Sequence, residues 1–83
     1  MSKDETLVFN VSDLENFMIK ETLSQTEKAL TEKGYNSINQ IVGYLMSGDL
    51  AYISSYKDAR KKMSSLDREK ILEALLVSYL KGE

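Results

Sequence analysis

The sequence predicts an all-α fold: a compact bundle of about four short helices with a flexible N-terminal arm. Three observations lead there. Apolar residues recur at intervals of three and four, Ser, Asn and Asp stand where helices should begin with glycines where they should end, and no stretch alternates apolar with polar as a half-buried strand would. With 83 residues and 42% hydrophobic content, the chain makes one domain whose burial alone leaves it only marginally stable.

Residues 1–11 hold Lys3, Asp4 and Glu5 and then Leu7, Val8 and Phe9. They lack a helical period and read as a flexible regulatory arm, with residues 12–83 as a single helical domain. Ser12-Asp13-Leu14-Glu15 has the spacing of a capping box, which places the start of the first helix at Asp13. Ile19, Leu23, Thr26 and Leu30 form its stripe, widened by Phe17, Met18 and Ala29. Gly34 can adopt the left-handed C-cap conformation, so this helix should stop at Lys33.

Asn36 or Ser37 can cap a second helix that Gly48 ends, with Ile38, Ile41, Val42 and Leu45 on one face. Asp49 can cap a further turn through Leu50, Ala51, Tyr52 and Ile53. The segment SSYKDARKKMSS predicts a short, solvent-facing helix anchored by Ala59 and Met63. Ser64-Ser65-Leu66-Asp67 repeats the capping-box spacing and should start the last helix, in which Ile71, Leu72, Leu75, Leu76 and Tyr79 span about half the circumference. That is more apolar face than one neighbour needs, so the chain is expected to form a homodimer.

Composition excludes whole classes of chemistry. The chain has no histidine and no cysteine, which removes disulfides, thiol nucleophiles, the imidazole base and most transition-metal sites. Glu27, Glu32, Asp49, Asp58 and Glu73 have no partner spacing and read as solvated faces, so no catalytic residue, metal ligand or cofactor site is assigned. The glycines are too widely spaced for a phosphate loop. Apolar runs are far too short to span a membrane, the first residues are acidic where a signal peptide would be apolar, and a cytoplasmic protein is expected.

Two features remain for function. Lys57, Arg60, Lys61 and Lys62 lie within six residues, followed by Arg68 and Lys70, a stretch suited to phosphate, acidic protein surfaces or nucleic acid. Helix, Gly-Asp turn and basic helix follow one another as in a helix-turn-helix, so a small nucleic-acid-binding protein using residues 57–70 is the alternative to a regulatory adaptor. The net charge of −2 weighs against nucleic acid. Thr6, beside Asp4 and Glu5, is a candidate phosphoacceptor, since a phosphate would add about −1.5 to −2 charges to an already acidic segment.

The run EKGYNSINQIVGYLMSGDLAYI, with YKDAR, the tail EALLVSYLKG and the SKDET opening, resembles the IreB/ReoM family of small regulatory phosphoproteins of Gram-positive bacteria. The most specific matches are Gly34, Tyr35, Asn36, Asn39, Gln40, Gly43, Tyr44, Gly48 and Asp49. The resemblance implies a non-enzymatic helical homodimer, phosphorylated at Thr6 by a membrane-anchored Ser/Thr kinase with PASTA repeats and dephosphorylated by a PP2C-type phosphatase. It further implies that the unphosphorylated form promotes ClpCP-dependent degradation of UDP-N-acetylglucosamine enolpyruvyl transferase, making the protein a negative regulator of peptidoglycan synthesis and of cell-wall antibiotic tolerance. Partner contact falls, on this resemblance, to the basic region containing Lys57, Arg60, Lys61 and Arg68. The chain departs from the family at Ser37, Leu50 and Ser54, where prolines are usual, at Ser55, Ser64 and Ser65, where arginines are, and at Tyr56, where histidine is.

Overall fold

A computed structural model describes residues 11–82. Residues 1–10 of the predicted arm, Thr6 among them, therefore lie outside the described residues, while Val11, its last predicted residue, already belongs to the first helix. Within them the fold is all-α: α1 Val11–Glu32, α2 Ser37–Ser47, α3 Ala59–Ser64 and α4 Arg68–Lys81, with 3-10 turns at Leu50–Tyr52 and Tyr56–Asp58. No strand occurs among the described residues.

The first helix is already formed at Val11, so Ser12 lies inside it and does not serve as the expected N-cap with Asp13 as first residue. Its end is as the sequence predicts to within a residue. Gly34 takes φ +88°, the Tyr35 amide donates to the Leu30 carbonyl at 2.9 Å and the Gly34 amide to the Thr31 carbonyl at 3.0 Å. That pair of bonds is a Schellman closure, which satisfies carbonyls the helix would otherwise leave open.

Asn36 caps α2, its side-chain oxygen accepting from the Asn39 amide at 3.1 Å, and Gly48 closes it at φ +76°. Asp49 caps the next turn by accepting from the Ala51 amide at 2.9 Å. The face of α2 is turned by about one residue from the predicted one: Ser37, Ile41 and Tyr44 are buried, whereas Ile38 is 64% and Val42 46% exposed. At the start of α4 the cap is Asp67, accepting from the Glu69 amide. Ser64 instead ends α3, donating its hydroxyl to the Lys61 carbonyl at 2.8 Å, so the second capping box does not form.

The core collects Ile19, Ala29, Leu30, Ile41, Tyr44, Ile53, Ala59, Met63 and Ile71. Ala59 and Met63 are the α3 anchors that the sequence predicts, and α3 packs chiefly on α1. Only Ile71 of α4 is buried. Leu72, Leu75, Leu76, Tyr79 and Leu80 stay exposed on α4, and Leu14, Phe17 and Met18 on α1. No described helix is long and apolar enough to cross a membrane.

Candidate functional site

The basic stretch begins at a strained corner. Lys57 (φ 54°, ψ 33°) and Asp58 (φ 61°, ψ 20°) are consecutive non-glycine residues in the left-handed region, a conformation that costs about 1–2 kcal/mol per residue. Local bonds hold it: the Asp58 amide donates to Ser55 and the Arg60 amide to Ser54, both at 3.0 Å, and the Tyr56 amide donates to the Ser54 hydroxyl.

From the far end of α1, Glu32 clamps the same corner. Its carboxylate lies 3.0 Å from Lys57 Nζ and accepts the Tyr56 hydroxyl at 3.0 Å. These bonds, Lys57 first and Tyr56 second, hold the Glu32 carboxyl below the usual glutamate range, and the carboxylate in turn raises the Lys57 ammonium. Lys33 and Lys57 stand over the Tyr56 ring at 5.2 and 5.4 Å. All of this lies at the surface, where each contact is individually weak.

The two arginines have structural partners. Arg60 Nε donates to the Ile53 carbonyl at 2.8 Å. Arg68 Nη1 donates to the Leu45 carbonyl at 3.0 Å, one of the open carbonyls at the end of α2. Its guanidinium lies so close to Gly48 that a Cβ there would stand 2.8 Å from Cζ. Lys62 donates to Gln25 at 2.9 Å, and Lys61 is exposed. Lys57, Arg60, Lys61 and Lys62 thus share the edge formed by α3 and the turn before it, whereas Arg68 is tied to the C-terminal end of α2. As a recognition helix α3 has six residues, under two turns and about 9 Å of length.

The motif residues build the corner after α2. Gly43 admits the Tyr52 ring, whose carbons would lie 2.5–2.9 Å from any Cβ placed there, and Gln40 Nε2 donates to the Tyr52 carbonyl at 2.9 Å. Tyr44 is buried, while Gly34, Asn36, Gly48 and Asp49 are the caps already described and the Tyr35 and Asn39 amides complete two of those bonds. Glu32 and Gln40 both find partners across the fold, and no local spacing signals either contact.

The family model of the IreB regulatory phosphoproteins matches residues 4–81. The chain belongs to this family. The IreB match spans nearly the whole chain and includes the motif, the basic stretch and Thr6. The motif's structural roles explain why an IreB chain would need these residue types: glycine for positive φ or close ring approach, Asn and Asp for caps.

Proposed function

We propose that this IreB-family protein is a non-enzymatic, cytoplasmic regulator switched by phosphorylation at Thr6, by a PASTA-type Ser/Thr kinase opposed by a PP2C-type phosphatase. Unphosphorylated, it promotes ClpCP-dependent degradation of UDP-N-acetylglucosamine enolpyruvyl transferase and so lowers peptidoglycan synthesis and cell-wall antibiotic tolerance. The observation that carries this reading is the match to a family of regulatory phosphoproteins over residues 4–81, Thr6 included. The exposed edge holding Lys57, Arg60 and Lys61 is the surface offered to the protein partners, with Arg68 contributing from the end of α2. The protein acts as a homodimer, which gives the exposed apolar stripe of α4 a cover.

The test is intact-mass and peptide mass spectrometry after incubation with a PASTA-type kinase domain and ATP, on the parent and on Thr6→Ala. One phosphate on the parent and none on the variant is expected; undiminished incorporation in Thr6→Ala overturns the site. Pull-downs with both forms then compare retention of the protease and the transferase. Light scattering should give twice the 9.4 kDa chain mass, and Leu76→Glu on the α4 stripe should halve it.

A further inference from the structure

We propose that the groove between α1 and α4 seats the chain's own residues 1–10, and that a phosphate on Thr6 fixes them there through Lys20 and Lys70. This inference rests on the Thr6 reading above and names how that site acts on its own domain. The groove encloses about 480 Å³, within the range that holds a small ligand or several side chains. Its floor is apolar, with Ile19, Leu23 and Ala74, and its rim is charged, with Lys20 and Lys70 set among Glu15 and Glu73.

The chain reaches this groove and not the Lys57 corner. Thr6 precedes Val11 by five residues, an extended reach of about 17 Å. Lys57 sits on Glu32, at the opposite end of α1 and about 32 Å along the helix axis from Val11. Thr6 therefore cannot meet Lys57 in its own chain. Lys70, by contrast, lies beside Glu15, one turn from the start of α1, and Lys20 lies about 14 Å along it. Ser12, the second described residue, is itself part of the groove wall.

Chemistry agrees with reach. Leu7, Val8 and Phe9 match the apolar floor, but ordering ten residues for three apolar contacts is entropically expensive. A phosphate supplies the missing attraction through charge-assisted bonds. The present partner of Lys70 is held weakly: the Glu15 carboxylate is 3.8 Å away and both side chains are about half exposed, so a dianion can displace it. Of the exposed α4 stripe, Leu75 also lines the groove, whereas Leu72, Leu76 and Tyr79 do not. At about 100° per residue, Leu72, Leu76 and Tyr79 centre about 125° around α4 from Lys70, Glu73 and Val77, so a second copy centred on them leaves the Lys70 side of the groove uncovered.

The experiment uses the full chain with phosphothreonine installed at position 6 by genetic code expansion, so docking is read whether or not any kinase recognises Thr6. Hydrogen exchange is compared between phosphorylated and unphosphorylated protein, each alone and as the Lys20→Ala/Lys70→Ala double variant. Phosphorylation should slow exchange about fivefold in residues 1–10 and in the flanking stretches of α1 and α4. The double variant, its helicity checked by circular dichroism, should lose that difference. Unchanged exchange in the groove, protection confined to residues 57–62, or protection that persists in the double variant overturns the proposal. Groove protection that rises with protein concentration in the unphosphorylated chain makes a second copy the occupant, and also overturns it.

Discussion

Replacing Gly43 by alanine puts two large effects in opposition, and the structure decides which wins. In a helix interior alanine is favoured over glycine by about 1 kcal/mol. Here a new Cβ would stand 2.5 Å from Tyr52 Cε1 and 2.6 Å from Cδ1, where carbon contacts are optimal at about 3.5–4.0 Å. The ring must retreat by about 1 Å. The backbone cannot carry it away freely, because Gln40 holds the Tyr52 carbonyl at 2.9 Å. Overpacking of this kind costs about 1–3 kcal/mol, and the 40% exposure of Tyr52 lets the ring give partly toward solvent. Gly43→Ala should therefore destabilise by about 1 kcal/mol net of the propensity gain. In a Tyr52→Ala background the same change meets no ring and should stabilise by about 0.5–1 kcal/mol. Urea denaturation followed by far-UV circular dichroism, at one fixed protein concentration, reads all four corners of the cycle. A Gly43→Ala protein more stable than its parent, or an effect of the same sign in both backgrounds, would refute the close-approach account of this glycine.

Other perturbations have equally definite signs. Thr26 is fully buried with a hydroxyl that has no hydrogen-bond partner among the described residues, so Thr26→Val should raise stability by about 1–3 kcal/mol, read as a higher urea midpoint. Ser37 is the first residue of α2, where proline is pre-organised, and Asn36 before it is extended at φ −79° and ψ 101°, close to the range a following proline needs; proline also removes the part-buried Ser37 hydroxyl that donates to Glu27 at 3.5 Å, so Ser37→Pro should stabilise by less than the roughly 0.4–1 kcal/mol supplied through the unfolded state, and a lower thermal midpoint would show that the site does not accept the ring. For Glu32 the folded carboxyl titrates below its unfolded value, so its contribution is present above the usual glutamate range and fades as pH falls through the depressed value. The raised Lys57 contributes fully below the ordinary lysine range and loses its share as pH rises through the raised value. Midpoints measured from about pH 3 to pH 7 should fall more toward acid in the parent than in Glu32→Gln, and high salt should shrink the difference because both groups are exposed.

Local chemistry was legible in the sequence and tertiary choice was not. Gly34, Asn36, Gly48 and Asp49 act within four residues of themselves, so their roles follow from spacing alone. Ala59 and Met63 were identifiable as anchors because nothing else apolar stands near them in α3. The capping boxes at Ser12 and Ser64 failed because a local pattern is compatible with more than one frame: α1 has already started before Ser12, and the α3 end takes Ser64 while Asp67 takes the cap. In α2 the apolar residues cover an arc wide enough for two orientations, and packing against α1 and the Tyr52 turn selects Ile41 and Tyr44 over Ile38 and Val42. Of the basic stretch, the sequence displays the charges but not their partners, since the Glu32 carboxylate that meets Lys57 is 25 residues away.

Those partners change how the basic surface must be dissected. Arg60 and Arg68 each use a guanidinium nitrogen on a backbone carbonyl, at 2.8 and 3.0 Å, so alanine at either position removes a fold contact together with a charge. A loss of partner binding in such a variant reports both at once. Lysine at these positions keeps the charge but not the planar fork, and separates the two roles: if Arg60→Lys weakens the fold yet retains the partner, the contact is a matter of charge, and if it retains the fold yet loses the partner, the contact is bidentate. Lys61 is the cleaner probe, because it is exposed and one residue beyond the arginine that the fold employs. Lys57 lies between these cases. Its ammonium is shared with Glu32, so an acidic partner must compete with that carboxylate, and Glu32→Gln should strengthen any partner contact made through Lys57 even as it loosens the strained corner that presents it.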